Sequence, residues 1–201
     1  GILKDGAGVT VANFFAEFGI TKKTVDFTLG TESTDVGAKC REVLRWVKKN
    51  LRGESMTSVH AFVSPGFWDR FISHSSVKAA YQYFTNLNGA QPLREDTRSG
   101  FRFHGITFEE YDATFTLADG VTVEDAFVGN TGVAFPLGTR ETFKTHFAPA
   151  NWMETVNTIG LSYYARQKSR EDGSGIDLLT QSNPFPITRR PALVVELVSS
   201  N

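Results

Sequence analysis

The sequence predicts an α+β fold, in which a few helices accompany several antiparallel strands. One amphipathic helix is indicated between Thr34 and Leu51 by apolar residues that recur at helical spacing. Strand-forming runs lie on both sides of this helix, and the last one, residues 192–198, follows Pro191 close to the end of the chain. A strand so near the terminus is stable only when it joins a sheet built from earlier segments. We therefore expect the terminal strands and the long helix to share one subdomain.

Composition bounds the class of protein. The chain has 201 residues, 40% of them hydrophobic, which suffices for one large domain or two small ones. Lys and Arg number 21 and Asp and Glu 22, and this balance argues against a dedicated nucleic-acid clamp while leaving room for local charged patches. The single cysteine, Cys40, excludes an internal disulfide and a cysteine-based zinc cage. No apolar run is long enough to predict a membrane-spanning helix.

The long helix has clear end signals. Thr34 is predicted as its cap, Asp35 falls in its first turn and Gly53 follows its end. Its second half is basic. We interpret that half as a solvated face that complements the helix dipole, with contact to DNA as the less favoured alternative.

Residues 2–29 are predicted to be mainly β structure. Asp5-Gly6 is a hairpin turn signal, and residues 24–29 alternate as a half-buried strand does. Residues 13–18 fit either a strand or one helical turn. Because the opening hairpin has a short first arm and the chain starts with Gly, we expect a fragment that lacks upstream sequence.

The central region combines strands and helices. Residues 58–63 are predicted as a strand, Ser64-Pro65 begins a helix, and a second helix covers about 76–84. Residues 86–100 are expected to form an exposed polar loop.

The remaining elements are mostly strands. Asp119-Gly120 marks a hairpin turn within the strand-rich residues 101–128, and Pro136 and Gly138 close a strand over residues 129–138. A short helix is predicted around 152–157. A final hairpin has arms at 161–166 and 176–180 and a charged tip at 167–175. Extended hairpins of this kind bury little within their own chain, so we expect them to touch neighbouring molecules.

No spacing of reactive residues predicts catalysis. The four histidines (His60, His74, His104 and His146) form none of the usual zinc motifs. Glu109, Glu110 and Asp112 are interpreted as a solvated strand edge, because neighbouring strand residues point to opposite faces. Cys40 lies on the apolar stripe of the helix and is expected to be a small core residue. Ser64-Pro65-Gly66 is explained as a helix start, and no phosphate-binding loop is present.

Four stretches of the chain resemble one family. They are DGAGVTVANFFAEFGITKKTVDF (5–27), HAFVSPGFWDRFISHSSVKAAY (60–81), FPLGTRETFKTHFAPANWMETVNTIGLSYYAR (135–166) and QSNPFPITRRPALVVELV (181–198). They are similar to the phage major capsid protein E family, the lambda-like major head proteins of tailed phages and prophages. The resemblance extends over essentially the whole chain, and it adds a family to the α+β prediction.

The resemblance implies a tailed-phage major capsid fold. Residues 1–30 would be the end of an extended β loop, residues 31–55 and 146–201 a peripheral domain with a spine helix and antiparallel strands, and residues 56–145 an inserted axial domain. Residues 86–100 would lie near a symmetry axis. The N-terminal arm of the family has no counterpart in this sequence.

The implied function is structural. The resemblance predicts a major head protein that self-assembles, as pentamers and hexamers, into an icosahedral shell enclosing double-stranded DNA. It implies no catalysis, no cofactor, no small-molecule ligand and no membrane. Scaffold, portal and decoration proteins are implied partners, as is packaged DNA bound without sequence specificity. The protein would reside in the virion, and in the bacterial host cytoplasm before assembly.

One set of assembly contacts is predicted at the tip of the final hairpin. Lys168, Arg170, Glu171 and Asp172 carry both signs of charge, so copies could pair around a threefold axis; a purely solvated tip is an equal alternative. Two other functions stay open on the residues alone. One is a phage-derived module that forms rings or tubes, and the other is an enzyme that uses His104 or His146 with Glu109 or Glu110.

Overall fold

A computed structural model describes residues 1–88, 100–171 and 173–200, without the side chains of Tyr81 and residues 83–88. Its α-helices are α1 (Phe14–Glu17), α2 (Val36–Leu51), α3 (Pro65–Ser73) and α4 (Ser75–Asn88). Its strands are β1 (Ile2–Lys4), β2 (Thr10–Asn13), β3 (Lys23–Asp26), β4 (Ser58–Val63), β5 (Phe101–Phe103), β6 (Ile106–Glu110), β7 (Thr114–Thr116), β8 (Val123–Asp125), β9 (Thr131–Leu137), β10 (Phe143–Phe147), β11 (Tyr164–Ser169), β12 (Ile176–Gln181), β13 (Pro184–Thr188) and β14 (Val195–Val198). Short 3₁₀ turns lie at Met153–Thr155 and Pro191–Leu193. No helix among the described residues is long and apolar enough to cross a membrane.

A six-stranded sheet organises the larger part of the chain, in the order β3-β14-β9-β4-β6-β5. The terminal strand β14 therefore lies inside the sheet, between β3 and β9. It runs parallel to β3 and antiparallel to β9, and β4 and β6 form a second parallel pair. The sheet is thus mixed, and it contains two parallel pairs beside the antiparallel strands that the sequence pattern predicted. The predicted strand after Pro191 begins at Val195, because Pro191–Leu193 form a 3₁₀ turn.

The core packs one face of this sheet against α2 and α3. The apolar stripe of α2 is buried, including Val36, Cys40, Val43 and Val47. The alternation of β4 places Val59, Ala61 and Val63 on the same side, while His60 and Phe62 lie on the other, half-buried face. Aromatic rings fill much of the core; the Phe71 and Phe108 centroids are 4.4 Å apart.

The ends of α2 differ in one respect from the prediction. Asp35, and not Thr34, is the cap: its carboxylate accepts a hydrogen bond from the Ala38 N–H at 2.9 Å. The predicted Thr34 cap is wrong because its hydroxyl donates instead to the Thr28 carbonyl at 3.1 Å. At the other end Arg52 adopts a left-handed conformation with φ 48°. Arg190 completes that end by donating to the carbonyls of Asn50 and Leu51 at 2.8 Å each.

The other helix predictions are largely confirmed. Ser64 caps α3, with Pro65 at its start. Residues 13–18 contain one helical turn, α1, which Asn13 caps. Helix α4 ends at Asn88, later than predicted, and the rest of the predicted polar loop, residues 89–99, lies outside the described residues. The helix predicted around 152–157 is the 3₁₀ turn Met153–Thr155.

Chain contacts divide the molecule into two compact units. The first unit comprises residues 1–142 and 190–201, and the second comprises residues 143–189. The long helix and the last strand, β14, share the first unit, whereas the other strands expected beside them, β11 to β13, lie in the second. The six-stranded sheet joins strands of the predicted axial domain, such as β4, to β3 and β14. The two units do not correspond to a division at 56–145 and do not test it, so the peripheral and axial domains stay a prediction.

Candidate assembly surface

The second unit, residues 143–189, consists of two separate strand pairs. Strand β10 pairs with β13, and β11 pairs with β12. Pro184 and Pro186 are two residues apart in β13, so both missing N–H groups lie on one side of that strand, away from β10. The two arms of the predicted final hairpin are confirmed. The first, predicted at 161–166, is Tyr164–Ser169, and the second, predicted at 176–180, is Ile176–Gln181.

The predicted assembly residues lie at the closed end of the β11–β12 hairpin. Lys168 is in β11, opposite Asp177 of β12. The guanidinium of Arg170 donates from Nε to the Asp177 carboxylate at 2.8 Å, so Arg170 is engaged within its own hairpin. Glu171 is exposed in the turn, and Asp172 lies outside the described residues. The structure thus places three of the four residues together and gives one of them an intramolecular partner.

One face of the same hairpin is apolar and exposed. Ile176 and Leu178 are two residues apart in β12, so their side chains share a face, and they are 63% and 72% exposed. The residues directly opposite them in β11 are Ser169 and Gln167. No apolar side chain directly across the hairpin therefore covers either of them.

A second exposed apolar group lies in the segment before β11. Met153, Ile159 and Tyr163 are 87%, 89% and 82% exposed. Hydrogen bonds hold the backbone of this segment: the Tyr164 hydroxyl accepts from the Leu161 N–H at 2.9 Å and donates to the Ile159 carbonyl at 3.3 Å. The segment is thus ordered while its apolar side chains remain uncovered.

Aromatic and cationic side chains connect this segment to β11. The guanidinium of Arg166 lies 4.9 Å from the Trp152 ring centre and donates to the Glu154 carboxylate at 3.3 Å. The Trp152 and Tyr164 rings meet edge to face with centroids 6.1 Å apart. Gly160 is also required here, because a Cβ at this position would come within 1.8 Å of the Phe147 carbonyl oxygen.

The second unit therefore has almost no core of its own. Among its described residues, 143–171 and 173–189, Ala150 is the only hydrophobic residue that is buried. Its large exposed hydrophobic residues are Phe143, Met153, Val156, Ile159, Leu161, Tyr163, Ile176, Leu178, Leu179 and Phe185. Exposed apolar surface at this density is typical of a protein–protein interface. We call these ten residues the apolar surface.

The candidate catalytic groups are not assembled as the enzyme alternative requires. The Glu109 carboxylate pairs with His60, Nε2 to Oε2 at 2.9 Å, and His104 is exposed in the turn between β5 and β6. His146 is exposed in β10. Burial raises the pKa of the Cys40 thiol to about 12, which agrees with a core role. Within the described ranges, no group of three His, Cys, Asp or Glu residues could hold a metal ion.

The family of the chain follows from a match over almost its entire length. The sequence profile of the phage major capsid protein E family matches residues 1–199. The chain belongs to this family. The resemblance drawn from the sequence is confirmed.

Two relatives are major capsid proteins themselves. That of Pseudomonas phage KPP10 is 31% identical over 199 residues, covering 94% of this chain and 56% of the relative. That of Salmonella phage Felix O1 is 25% identical over an aligned length of 224 residues, covering 98% of this chain and 60% of the relative. The chain thus spans a little over half the length of these capsid proteins.

Two solved structures show a weaker similarity to the chain. The putative capsid protein of a prophage of E. coli CFT073 has a TM-score of 0.48 at 13% identity, over 80% of this chain and 47% of that one. The mature capsid of bacteriophage PhiM1 has a TM-score of 0.47 at 16% identity, over 90% of this chain and 52% of that one. Both TM-scores are below 0.5, so the finer capsid architecture stays a prediction.

Sequence reasoning placed the assembly contacts in the charged tip and did not single out the apolar surface. One signal was available: Ile176 and Leu178 recur at strand spacing on either side of Asp177 in a predicted hairpin. A hairpin of two strands has no second layer to cover such a face. In residues 153–163 the spacing of the apolar residues changes from three to two, so no single periodicity marked them as one exposed surface.

Proposed function

We propose that the chain is the body of a major head subunit that self-assembles into a phage shell around double-stranded DNA. The observation that carries the proposal is the second unit, where ten large hydrophobic residues are exposed and, among the described residues, Ala150 is the only hydrophobic residue that is buried. A protein of the major capsid protein E family has a partner available for such a surface in every copy of itself. We therefore assign the apolar surface to contacts between subunits.

The energetics favour such an assembly. Full burial of an Ile, Leu or Met side chain is worth about 1.5–3 kcal/mol. Met153, Ile159 and Leu178 are each more than 70% exposed, so most of that free energy is still available to a neighbour. Contacts between different patches of identical subunits close into rings, and several weak contacts per subunit add up to a stable shell.

The finer assignments belong to the same proposal. Residues 31–55 and 146–201 form the peripheral domain with α2 as its spine helix, residues 56–145 form the axial domain, and residues 1–30 end an extended β loop. The tip residues Lys168, Glu171 and Asp172 add charged contacts around a threefold axis. Support for the tip comes from the exposure of Glu171 in the turn and of Lys168 in β11. Scaffold, portal and decoration proteins remain predicted partners.

Electron microscopy of the full-length protein, with light scattering in parallel, tests the proposal. We expect closed shells, or rings of five and six subunits, on coexpression with the genes adjacent to it. Open tubes or rings of another order would support the alternative of a ring- or tube-forming module. A monomer at the highest soluble concentration, alone and with those genes, would contradict self-assembly.

A further inference from the structure

The exposed side of α2 is almost uniformly cationic. Six side chains of the helix and its C-cap are exposed between residues 41 and 52: Arg41, Glu42, Arg45, Lys48, Lys49 and Arg52. Five are basic and one is acidic. The chain as a whole has a formal net charge of −1, so positive charge is concentrated on this one surface.

Two of these charges are neutralised inside the chain. The Lys23 ammonium lies 2.7 Å from the Glu42 carboxylate, and Arg41 lies 3.0 Å from Asp35. In the part of the chain that the structure describes, Arg45, Lys48, Lys49 and Arg52 have no ion-pair partner. We call these four residues the cationic face.

A groove of about 410 Å³ adjoins the cationic face. Its walls are formed by Lys23, Ala38, Glu42, Arg45, Trp46 and Lys49, and the Glu42 carboxylate is the one already paired with Lys23. The Trp46 ring is held in place because its Nε1–H donates to the Ala192 carbonyl at 2.9 Å, and the Lys23 ammonium lies 5.5 Å from the ring centre. The groove thus has a fixed aromatic wall, and two cations of the cationic face, Arg45 and Lys49, also line it.

The helix dipole explains only part of this surface. Cations are favoured near a helix C-terminus, but the effect falls off within the last turn. Lys48, Lys49 and Arg52 lie in or beside that turn, whereas Arg45 precedes the C-cap by seven residues, about two turns. The dipole therefore gives no reason for Arg45 or for the groove beside it.

We propose that the cationic face binds the phosphate backbone of double-stranded DNA. The biological setting, DNA within a shell, rests on the proposed function. Arg45 and Arg52 are separated by about 10 Å along the helix axis at 1.5 Å per residue. Duplex DNA carries one negative charge per about 1.7 Å, so several phosphates lie within reach of that span. Such contacts position the duplex without reading its sequence.

Duplex DNA fits this face better than a second copy of the chain does. Within residues 1–88, 100–171 and 173–200, no helix or strand exposes three carboxylates that could match four cations. Several acidic groups are already paired, among them Glu54 with Arg190, Asp177 with Arg170 and Glu196 with Lys22. Among the described helices and strands, a second copy therefore offers no equivalent row of free negative charge.

The interaction should be weak at physiological salt and strong at low salt. Four phosphate contacts predict a slope of about −3.6 for log K against log salt concentration, because each contact contributes about −0.9. Between 50 and 200 mM salt the affinity should then fall by about 150-fold. Contacts of this strength bind DNA only weakly at physiological salt.

Fluorescence anisotropy with a labelled 30-base-pair duplex of arbitrary sequence tests the proposal in the full-length protein. The variant carries Arg45→Gln, Lys48→Gln, Lys49→Gln and Arg52→Gln, since Gln is a good helix former. The matched control removes two other exposed arginines and two other exposed lysines: Lys78→Gln, Arg102→Gln, Arg140→Gln and Lys144→Gln. Circular dichroism of both proteins checks that they are folded.

We expect the variant to lose most of the salt dependence and at least 100-fold of the affinity at 50 mM salt, while the control keeps both. Equal DNA binding by variant and control, or no binding by the unmodified protein, would overturn the proposal. Micrographs of the same proteins separate the two claims. If the variant forms shells but no longer binds DNA, both DNA binding by the cationic face and self-assembly are supported. If the unmodified protein binds DNA through this face but forms no shells, only the proposed function is contradicted. Loss of shells with unchanged DNA binding would assign the face to subunit contacts and overturn the proposal.

Discussion

Two side chains of the apolar surface offer a sharp test of its role in assembly. Ile176 and Leu178 are 63% and 72% exposed on one face of β12. Two double variants are compared. The Thr pair carries both Ile176→Thr and Leu178→Thr, and the Val pair carries both Ile176→Val and Leu178→Val. Thr and Val have the same shape and are both β-branched, so strand propensity is nearly matched. Only a methyl group and a hydroxyl group differ at each site.

The expected effect follows from the exposure of the two positions. Where a neighbouring subunit covers both sites, each hydroxyl is buried without a partner at a cost of about 1–3 kcal/mol. Allowing for partial coverage, the Thr pair should weaken each subunit contact by about 2–4 kcal/mol relative to the Val pair. At 1.4 kcal/mol per tenfold change, the critical concentration for assembly should rise by about 30- to 700-fold.

Light scattering over a concentration series measures the critical concentration, and thermal unfolding of the unassembled protein gives the Tm. The two proteins should unfold at the same Tm, because neither side chain is buried within its own chain. Assembly of the Thr pair at the same concentration as the Val pair would refute the assignment of this face to a subunit contact. A lower Tm for the Thr pair alone would show that the face is covered within its own chain.

Further predictions concern single positions. Ser64→Ala should destabilise the fold by about 2–4 kcal/mol in urea unfolding, because the buried hydroxyl caps α3 and accepts from two backbone N–H groups; a change below 1 kcal/mol, on the order of a surface substitution, would contradict this network. Cys40 should react with thiol reagents at neutral pH only when the protein unfolds, since burial raises its pKa to about 12; fast labelling of the native protein would argue against that. The hydrogen bond from the N–H group of Ala38 holds the pKa of Asp35 below its usual 3.8. The Asp35 carboxylate therefore stabilises the fold fully at neutral pH, and this stabilisation is lost as the pH falls through the lowered pKa. Asp35→Asn should therefore flatten the acid limb of the Tm–pH profile, and an unchanged limb would count against it. Glu171→Lys with Asp172→Lys should impair shell formation in micrographs if the hairpin tips pair with one another; normal shells would leave the tip solvated.

Local signals were sufficient to predict much of the fold. The stripe of α2, the alternation of β4 and the Ser64-Pro65 start of α3 depend on neighbouring residues in the chain, and all three are confirmed. The Thr34 cap failed because Thr34 and Asp35 are both good caps by type. Thr28, which lies six residues before Thr34, decides between them, because its carbonyl accepts a hydrogen bond from the Thr34 hydroxyl.

Non-local pairing decided what the pattern could not. No local signal places β14 between β3 and β9, or sets its direction parallel to β3. The pairing of Glu109 with His60 likewise depends on the register of β4 against β6. Register is a property of two strands together, and the residues that pair here are 47 positions apart in the chain.

The sequence by itself determined the family and the helical and strand character of most segments. Only the tertiary structure decided which apolar residues the chain covers for itself. Leu197 in β14 and Leu178 in β12 both occupy short strands with apolar neighbours, yet the first is fully buried and the second is 72% exposed. Hydrophobic periodicity states only that a face avoids water. Whether its own chain or another molecule covers that face depends on how many layers pack against the strand, and β12 belongs to a two-stranded hairpin whereas β14 lies in a six-stranded sheet.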